Sequence, residues 1–123
     1  MRFMVTVYER PADVERRADP ESAPYLAAWR AYHRALVAAD VYVTGAPLRP
    51  TATATTVRLK DGRRHVQDGP YAEAKEELGG FMILELPSLD AALDWAARSP
   101  AAASGALEIR PIDVDFQDAV VRP

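Results

Sequence analysis

The chain is expected to fold as a single α+β domain of split-βαβ plan, with two helices laid on one face of a mainly antiparallel sheet and a hairpin inserted as an extra arm. Three observations predict this. Runs of bulky, β-favouring residues alternate with runs of 3.6-residue apolar period in the order strand, helix, strand, hairpin, strand, helix, strand. A length of 123 residues suits one hydrophobic core. With no cysteine in the chain, packing rather than a disulfide framework has to hold that core, and thiolate metal sites and cysteine nucleophiles are excluded.

Residues 2 to 8 (Arg-Phe-Met-Val-Thr-Val-Tyr) alternate as a first strand does, and this apolar run is too short for a signal-peptide core or a membrane span. Residues 9 to 24, charged and carrying Pro11, Pro20 and Pro24, read as a solvated loop. From Tyr25 to about Ala39, Leu26, Trp29, Leu36 and Val37 recur at helical steps, with Pro24 placed near the first helical position. Val41 to Gly45 is the next strand, followed by a proline-marked loop to Pro50. Residues 53 to 59 and 65 to 67 flank Asp61-Gly62, a dipeptide suited to a tight hairpin because glycine tolerates positive φ.

Phe81 to Leu86 is almost continuously apolar and is expected to be a strand covered on both faces. Ser88 can cap a second helix whose stripe would be Leu89, Ala92, Leu93 and Ala96, closed by Pro100. Residues 107 to 110 supply the last strand, and residues 113 to 123 form a tail without a clear pattern. Two helices cover one sheet face only, so burying the other face against a second copy makes a homodimer the expectation.

A formal charge of −3 offers no global positive field, so nucleic acid is not an expected partner. Gly79-Gly80-Phe81 does not make an RNA-binding strand, because Leu78 stands where a basic residue would precede the glycine and Ile83 and Leu84 stand at the later aromatic positions. No glycine-rich phosphate loop and no Gly-x-Ser-x-Gly elbow is present. Two isolated histidines give no metal-ligand pattern, and no cofactor is expected. The composition fits a reducing cytoplasm, with no membrane partner.

The segment Asp68-Gly69-Pro70-Tyr71-Ala72-Glu73-Ala74-Lys75-Glu76-Glu77-Leu78-Gly79-Gly80 concentrates turn residues, ionisable groups and an aromatic just before an apolar strand. It resembles the signature of the YCII-related family of the DGPF type, departing from the pattern only in Tyr71 for Phe and Ala74 for Thr. The resemblance runs from about residue 2 to 112 and includes Ala54 to Val57, Trp95 to Arg98 and Glu108 to Pro111. It implies a ferredoxin-like βαββαβ domain over residues 1 to 112, paired as a dimeric α/β barrel. It also implies either of two roles: a small organic molecule bound in a helix–sheet cleft with cofactor-free acid/base chemistry, or a non-catalytic module linked to extracytoplasmic-function sigma factors. Other branches of the family have a proposed His-Asp active-site pair, but that histidine's position falls near Ala28 here, so the role does not transfer.

His33 is a candidate on its own placement. It lies four residues after Trp29 and three before Leu36, which points it into the apolar stripe. An imidazole held there and oriented by Asp40 or Asp68 can act as a general base, while a core histidine bonded to a carbonyl or a tyrosine hydroxyl fits the same pattern. In the signature, Pro70 can open a short helix that Gly79 stops, and Asp68, Tyr71, Glu73, Lys75 and Glu76 would line the cleft, binding an anion through Lys75 or moving a proton. An ion-paired scaffold at the hairpin junction is the other reading of those charges.

Overall fold

The computed structural model describes residues 1–72 and 74–122, so Glu73 lies outside the described residues. Strand β1 (Arg2–Glu9) sends Phe3, Val5, Val7 and Glu9 to one face by simple alternation, and all four are buried. It is central in a four-stranded antiparallel sheet of order β2-β5-β1-β6, formed with β2 (Tyr42–Pro47), β5 (Glu77–Glu85) and β6 (Ala106–Pro111). This is the ferredoxin-like plan expected from the sequence. The inserted hairpin, β3 (Thr55–Lys60) and β4 (Arg63–Asp68), forms a separate two-stranded arm. Asp61 (φ 53°) and Gly62 (φ 73°) both take left-handed backbone, as a two-residue type I′ turn requires.

The loop expected over residues 9 to 24 contains a short helix, α1 (Pro11–Glu15), that buries Val14, and a 3-10 turn at Pro20–Ser22. Helix α2 (Ala23–Ala38) starts two residues before the predicted position. Its inward stripe is Trp29, Tyr32 and Leu36, whereas Leu26 and Val37 are 47% and 53% exposed. The aliphatic pattern misplaced the face because Tyr32 packs its ring inward while its hydroxyl donates to the Trp95 carbonyl at 2.7 Å, which satisfies the polar tip. Helix α3 (Leu89–Ala97) is capped by Ser88 Oγ, which accepts from the Ala91 amide. Ala92 and Ala96 are buried and Trp95 packs against the core, so Leu89 and Leu93 face outward, contrary to the predicted stripe.

Met82 and Leu84 of β5 join Phe3, Val5, Leu36 and Ala92 in the core under the helices. Full burial of each large side chain is worth about 1.5–3 kcal/mol. Phe81 and Ile83 alternate to the opposite face with Met4, Thr6 and Tyr8, and there they are half-buried rather than enclosed. The strand expected to be covered on both faces is therefore covered on one within the chain. Past Ile112, where no pattern was legible, Asp113 Oδ1 accepts from the Phe116 amide and starts a fourth helix, α4 (Val114–Val121), none of whose residues is buried.

Candidate functional site

A cavity of about 290 Å³ lies between α2 and the sheet. Val7, Trp29, Tyr32, Leu36, Tyr42 and Met82 give it an apolar, largely aromatic wall. The rings along α2 stack edge to face, Tyr25 on Trp29 at 6.3 Å and Trp29 on Tyr32 at 5.7 Å, and Tyr32 continues to Trp95 at 6.2 Å. Such a chain of aromatics holds a cavity open because each ring is wedged by the next. Burial pushes the Tyr32 phenol up to about 12, against the opposing charge of Arg98, so it stays a neutral donor at ordinary pH.

Two glycines of the signature shape the floor. The register of β1 on β5 shifts between Val7 and Tyr8, leaving Gly79 as the extra residue of a bulge. A Cβ at Gly79 would run into the Glu9 carboxylate and Arg17, and one at Gly80 would meet the Ala46 carbonyl oxygen at 2.8 Å. Both positions therefore exclude side chains. Gly79 lies in strand β5, not at the left-handed helix stop that the sequence reading expected.

One end of the cavity is closed by a polar network that sequence reasoning missed. Glu9, only 5% exposed, accepts from Arg17 Nη2 at 2.9 Å and from the Tyr25 hydroxyl at 3.1 Å. Arg17 also donates to the Gly79 carbonyl at 2.8 Å and to the Leu48 carbonyl. One guanidinium thus ties the loop after α1 to the start of β5 and the exit of β2. Burial, with the Glu9 carboxylate beside it, pushes the Tyr25 phenol up to about 12. The signal for Glu9 was present in its phase with Phe3, Val5 and Val7; Arg17 had none, since only the fold brings it across the sheet.

His33 lines the cavity, but from an exposed position on the flank of α2 rather than from the middle of the buried stripe. Its ring meets Tyr42 edge-on, with centroids 4.6 Å apart and planes at 76°. Tyr32, the residue before it, takes the inward place. Asp40, at φ 59°, turns the chain between α2 and β2 and is exposed.

The structure separates Asp68, Tyr71, Lys75 and Glu76 from His33. None of these four is in the cavity lining. Asp68 ends β4 on the exposed arm, and Gly69 at φ 100° then redirects the chain, its amide donating to Ala54 O at 2.8 Å. No helix opens at Pro70. Tyr71 is exposed, with the Arg58 guanidinium 4.7 Å from its ring centroid. Lys75 is exposed and Glu76 half-buried, and neither is in an ion pair among the described residues. The signature's head thus builds the base of the arm and its Gly79-Gly80 tail builds the cavity floor. Asp68, Tyr71, Lys75 and Glu76, expected as a polar rim, stand outside the cavity lining of the chain, where the positive-φ turn at Gly69 carries the backbone along the arm's base; Glu73, expected with them, lies outside the described residues.

Fold and site together define a ferredoxin-like α+β protein with a cavity of about 290 Å³ under its first long helix. The chain matches the model of the YCII-related domain over residues 1–116 and belongs to that family. The uncharacterized protein R00369 of Rhizobium meliloti (strain 1021) is 45% identical over 69 residues, covering 54% of this chain and 56% of that protein. The match therefore spans about half of each. Among solved structures, the 5-chloro-2-hydroxyhydroquinone dehydrochlorinase TftG of Burkholderia phenoliruptrix AC1100, in complex with 2,5-dihydroxybenzoquinone, aligns at a TM-score of 0.51. It is 22% identical and the alignment covers 92% of this chain and 94% of that one, a likeness of fold. No helix among the described residues is long and apolar enough to cross a membrane.

Proposed function

We propose that this chain is a homodimer that binds a small, single-ring organic molecule in the cavity beneath α2, with His33 at the mouth as the group that exchanges protons with it. The observation that carries this is the cavity itself, about 290 Å³ and walled by Trp29, Tyr32, Tyr42 and Met82 with one imidazole on its lining. That volume falls just below the roughly 300–1,000 Å³ usual for ligand sites, which suits one ring rather than a nucleotide. The TftG complex with a dihydroxybenzoquinone supports the same class of ligand on the same fold.

Chemically, an imidazole at the mouth can take a proton from a ring hydroxyl or an acidic ring carbon; returning it to another ring atom is an isomerisation, and where the ring carries a leaving group the freed electron pair expels that group as an anion in an elimination, neither of which needs a cofactor. The Glu9–Arg17–Tyr25 network is already internally paired, so its role is to close the far end. The half-buried sheet face carrying Phe81 and Ile83 is the surface on which the dimer forms.

Titration with hydroquinone and 2,5-dihydroxybenzoquinone, followed by tryptophan fluorescence and by ligand-detected NMR, tests the reading. Saturable binding that Trp29→Ala weakens and His33→Gln preserves, while His33→Gln abolishes proton exchange on the bound ring, is the expected result. If no single-ring probe binds at millimolar concentration, the cavity is not a ligand site and an interaction module linked to sigma factors becomes the better account.

A further inference from the structure

Two elements of the protomer are formed but uncovered. On the β3–β4 arm, the pairs Val57↔Val66 and Leu59↔Arg64 place Val57, Leu59 and Val66 on one face, and these are 61%, 78% and 56% exposed. The strands of the arm make their contacts chiefly with each other. An isolated two-stranded hairpin is marginal in water, so such a face calls for a cover. Helix α4 has the same condition. Val114, Phe116, Val120 and Val121 fall on one side of its helical wheel, all of them exposed, and eight residues are too few for a helix to be stable unsupported.

Charge and position match the two to each other. The arm carries Arg58, Lys60, Arg63 and Arg64 against Asp61 and Asp68, whereas α4 and its cap carry Asp113, Asp115 and Asp118 against Arg122. Arg64 alone shares the arm's apolar face while Arg58, Lys60 and Arg63 alternate to the other, and Asp115 and Asp118 flank the apolar side of α4, so the opposite charges attract the two elements as wholes around an apolar contact rather than pairing across it. Within one protomer they stand apart. The arm is inserted between Pro47 of β2 and Glu77 of β5, at the end of the sheet where Glu9 pairs with Glu77 and along the β2 edge. Helix α4 follows Pro111 of β6, which pairs with Phe3 at the opposite end, along the opposite edge. They leave from diagonally opposite corners.

We propose that the arm of each protomer packs its Val57–Leu59–Val66 face onto α4 of a second copy. A two-fold axis lying in the plane between two facing sheets, along the sheet's other diagonal, exchanges those two corners. Each arm then reaches the partner's α4 in a pair of identical contacts, with the strands of the two sheets crossing at a large angle. This inference rests on the homodimer proposed above and adds what clasps it.

The absence of native cysteine allows a direct test in the full chain. Chains carrying Val57→Cys or Leu59→Cys are mixed with chains carrying Phe116→Cys or Val120→Cys, re-equilibrated and oxidised. A disulfide between an arm variant and a helix variant forms in at least one of the four combinations, giving a covalent pair, whereas two arm variants do not cross-link. In parallel, Leu59→Ser and Phe116→Ser each raise the dimer dissociation constant by about tenfold or more, as loss of a well-buried interface side chain does. A parent protein that is dimeric by light scattering but yields no arm-to-helix cross-link overturns the exchange and leaves the dimer standing. A monomeric parent overturns both.

Discussion

Replacing Arg17 with methionine isolates the network at the closed end of the cavity. The change keeps the aliphatic stem and removes the charge, leaving Glu9, 5% exposed, with only the Tyr25 hydroxyl as donor among the described residues. Breaking a fully buried ion pair from one side costs about 3–5 kcal/mol. The Arg17 side chain is 30% exposed, so water can reach part of the vacated space, and we set the expected loss at about 2–3 kcal/mol. That loss includes the bonds Arg17 donates to the Gly79 and Leu48 carbonyls. Glu9→Gln leaves Arg17 without its counter-charge and should cost less, because the guanidinium keeps both carbonyls. The double variant should be less unstable than the sum of the two by about 1–2 kcal/mol, the coupling of residues in direct contact. Urea unfolding followed by the fluorescence of Trp29 and Trp95 measures all three. If Arg17→Met stays within about 0.5 kcal/mol of the parent, the range of ordinary surface changes, or if the two changes simply add, the network does not clamp the closed end of the cavity.

Gly79→Ala should destabilise by about 1–3 kcal/mol, the cost of overpacking, since its Cβ would occupy the place of the Glu9 carboxylate and Arg17; urea midpoints compared with Gly79→Ala in a Glu9→Ala background would show partial recovery. Ultraviolet titration should show two phenols ionising only near pH 12, one lost in Tyr25→Phe and one in Tyr32→Phe. Their folded pKa values lie above the unfolded value near 10, so the stability they contribute is intact below pH 10 and lost as pH rises through 12; ionisation of every tyrosine together near pH 10 would contradict their burial. Light scattering at micromolar concentration should give a dimer that Ile83→Asp converts to monomer, whereas Leu84→Ala, on the helix face, should cost about 2–5 kcal/mol of stability without changing association. Ile83→Ala and Phe81→Ala should each lose about 2 kcal/mol, chiefly through the dimer.

The local rules carried far along this chain. Alternation from Phe3 to Val7, the Asp61-Gly62 turn, the Ser88 cap and the apolar run at Phe81 to Leu86 are short-range signals, and each produced its element because the backbone responds to neighbours a few residues away. The family signature was legible for the same reason, since its residues are contiguous. What the signature does was not legible. Gly79 and Gly80 are bare because Glu9, Arg17 and Ala46 come against them from distant parts of the chain, and such exclusion leaves no trace in local spacing. The inward face of α2 was misjudged because Tyr32 satisfies its hydroxyl on α3, a long-range bond that turns a polar-tipped residue into a core residue. His33, expected in the middle of the buried stripe, lies one position away from the inward Tyr32, and one position on a helix is 100° of rotation. Sequence alone determined the strands, the two long helices, their order and the family, but not α1 or α4; the tertiary structure decided which side chains meet in the cavity, because packing joins residues by distance in space, which the order along the chain does not encode.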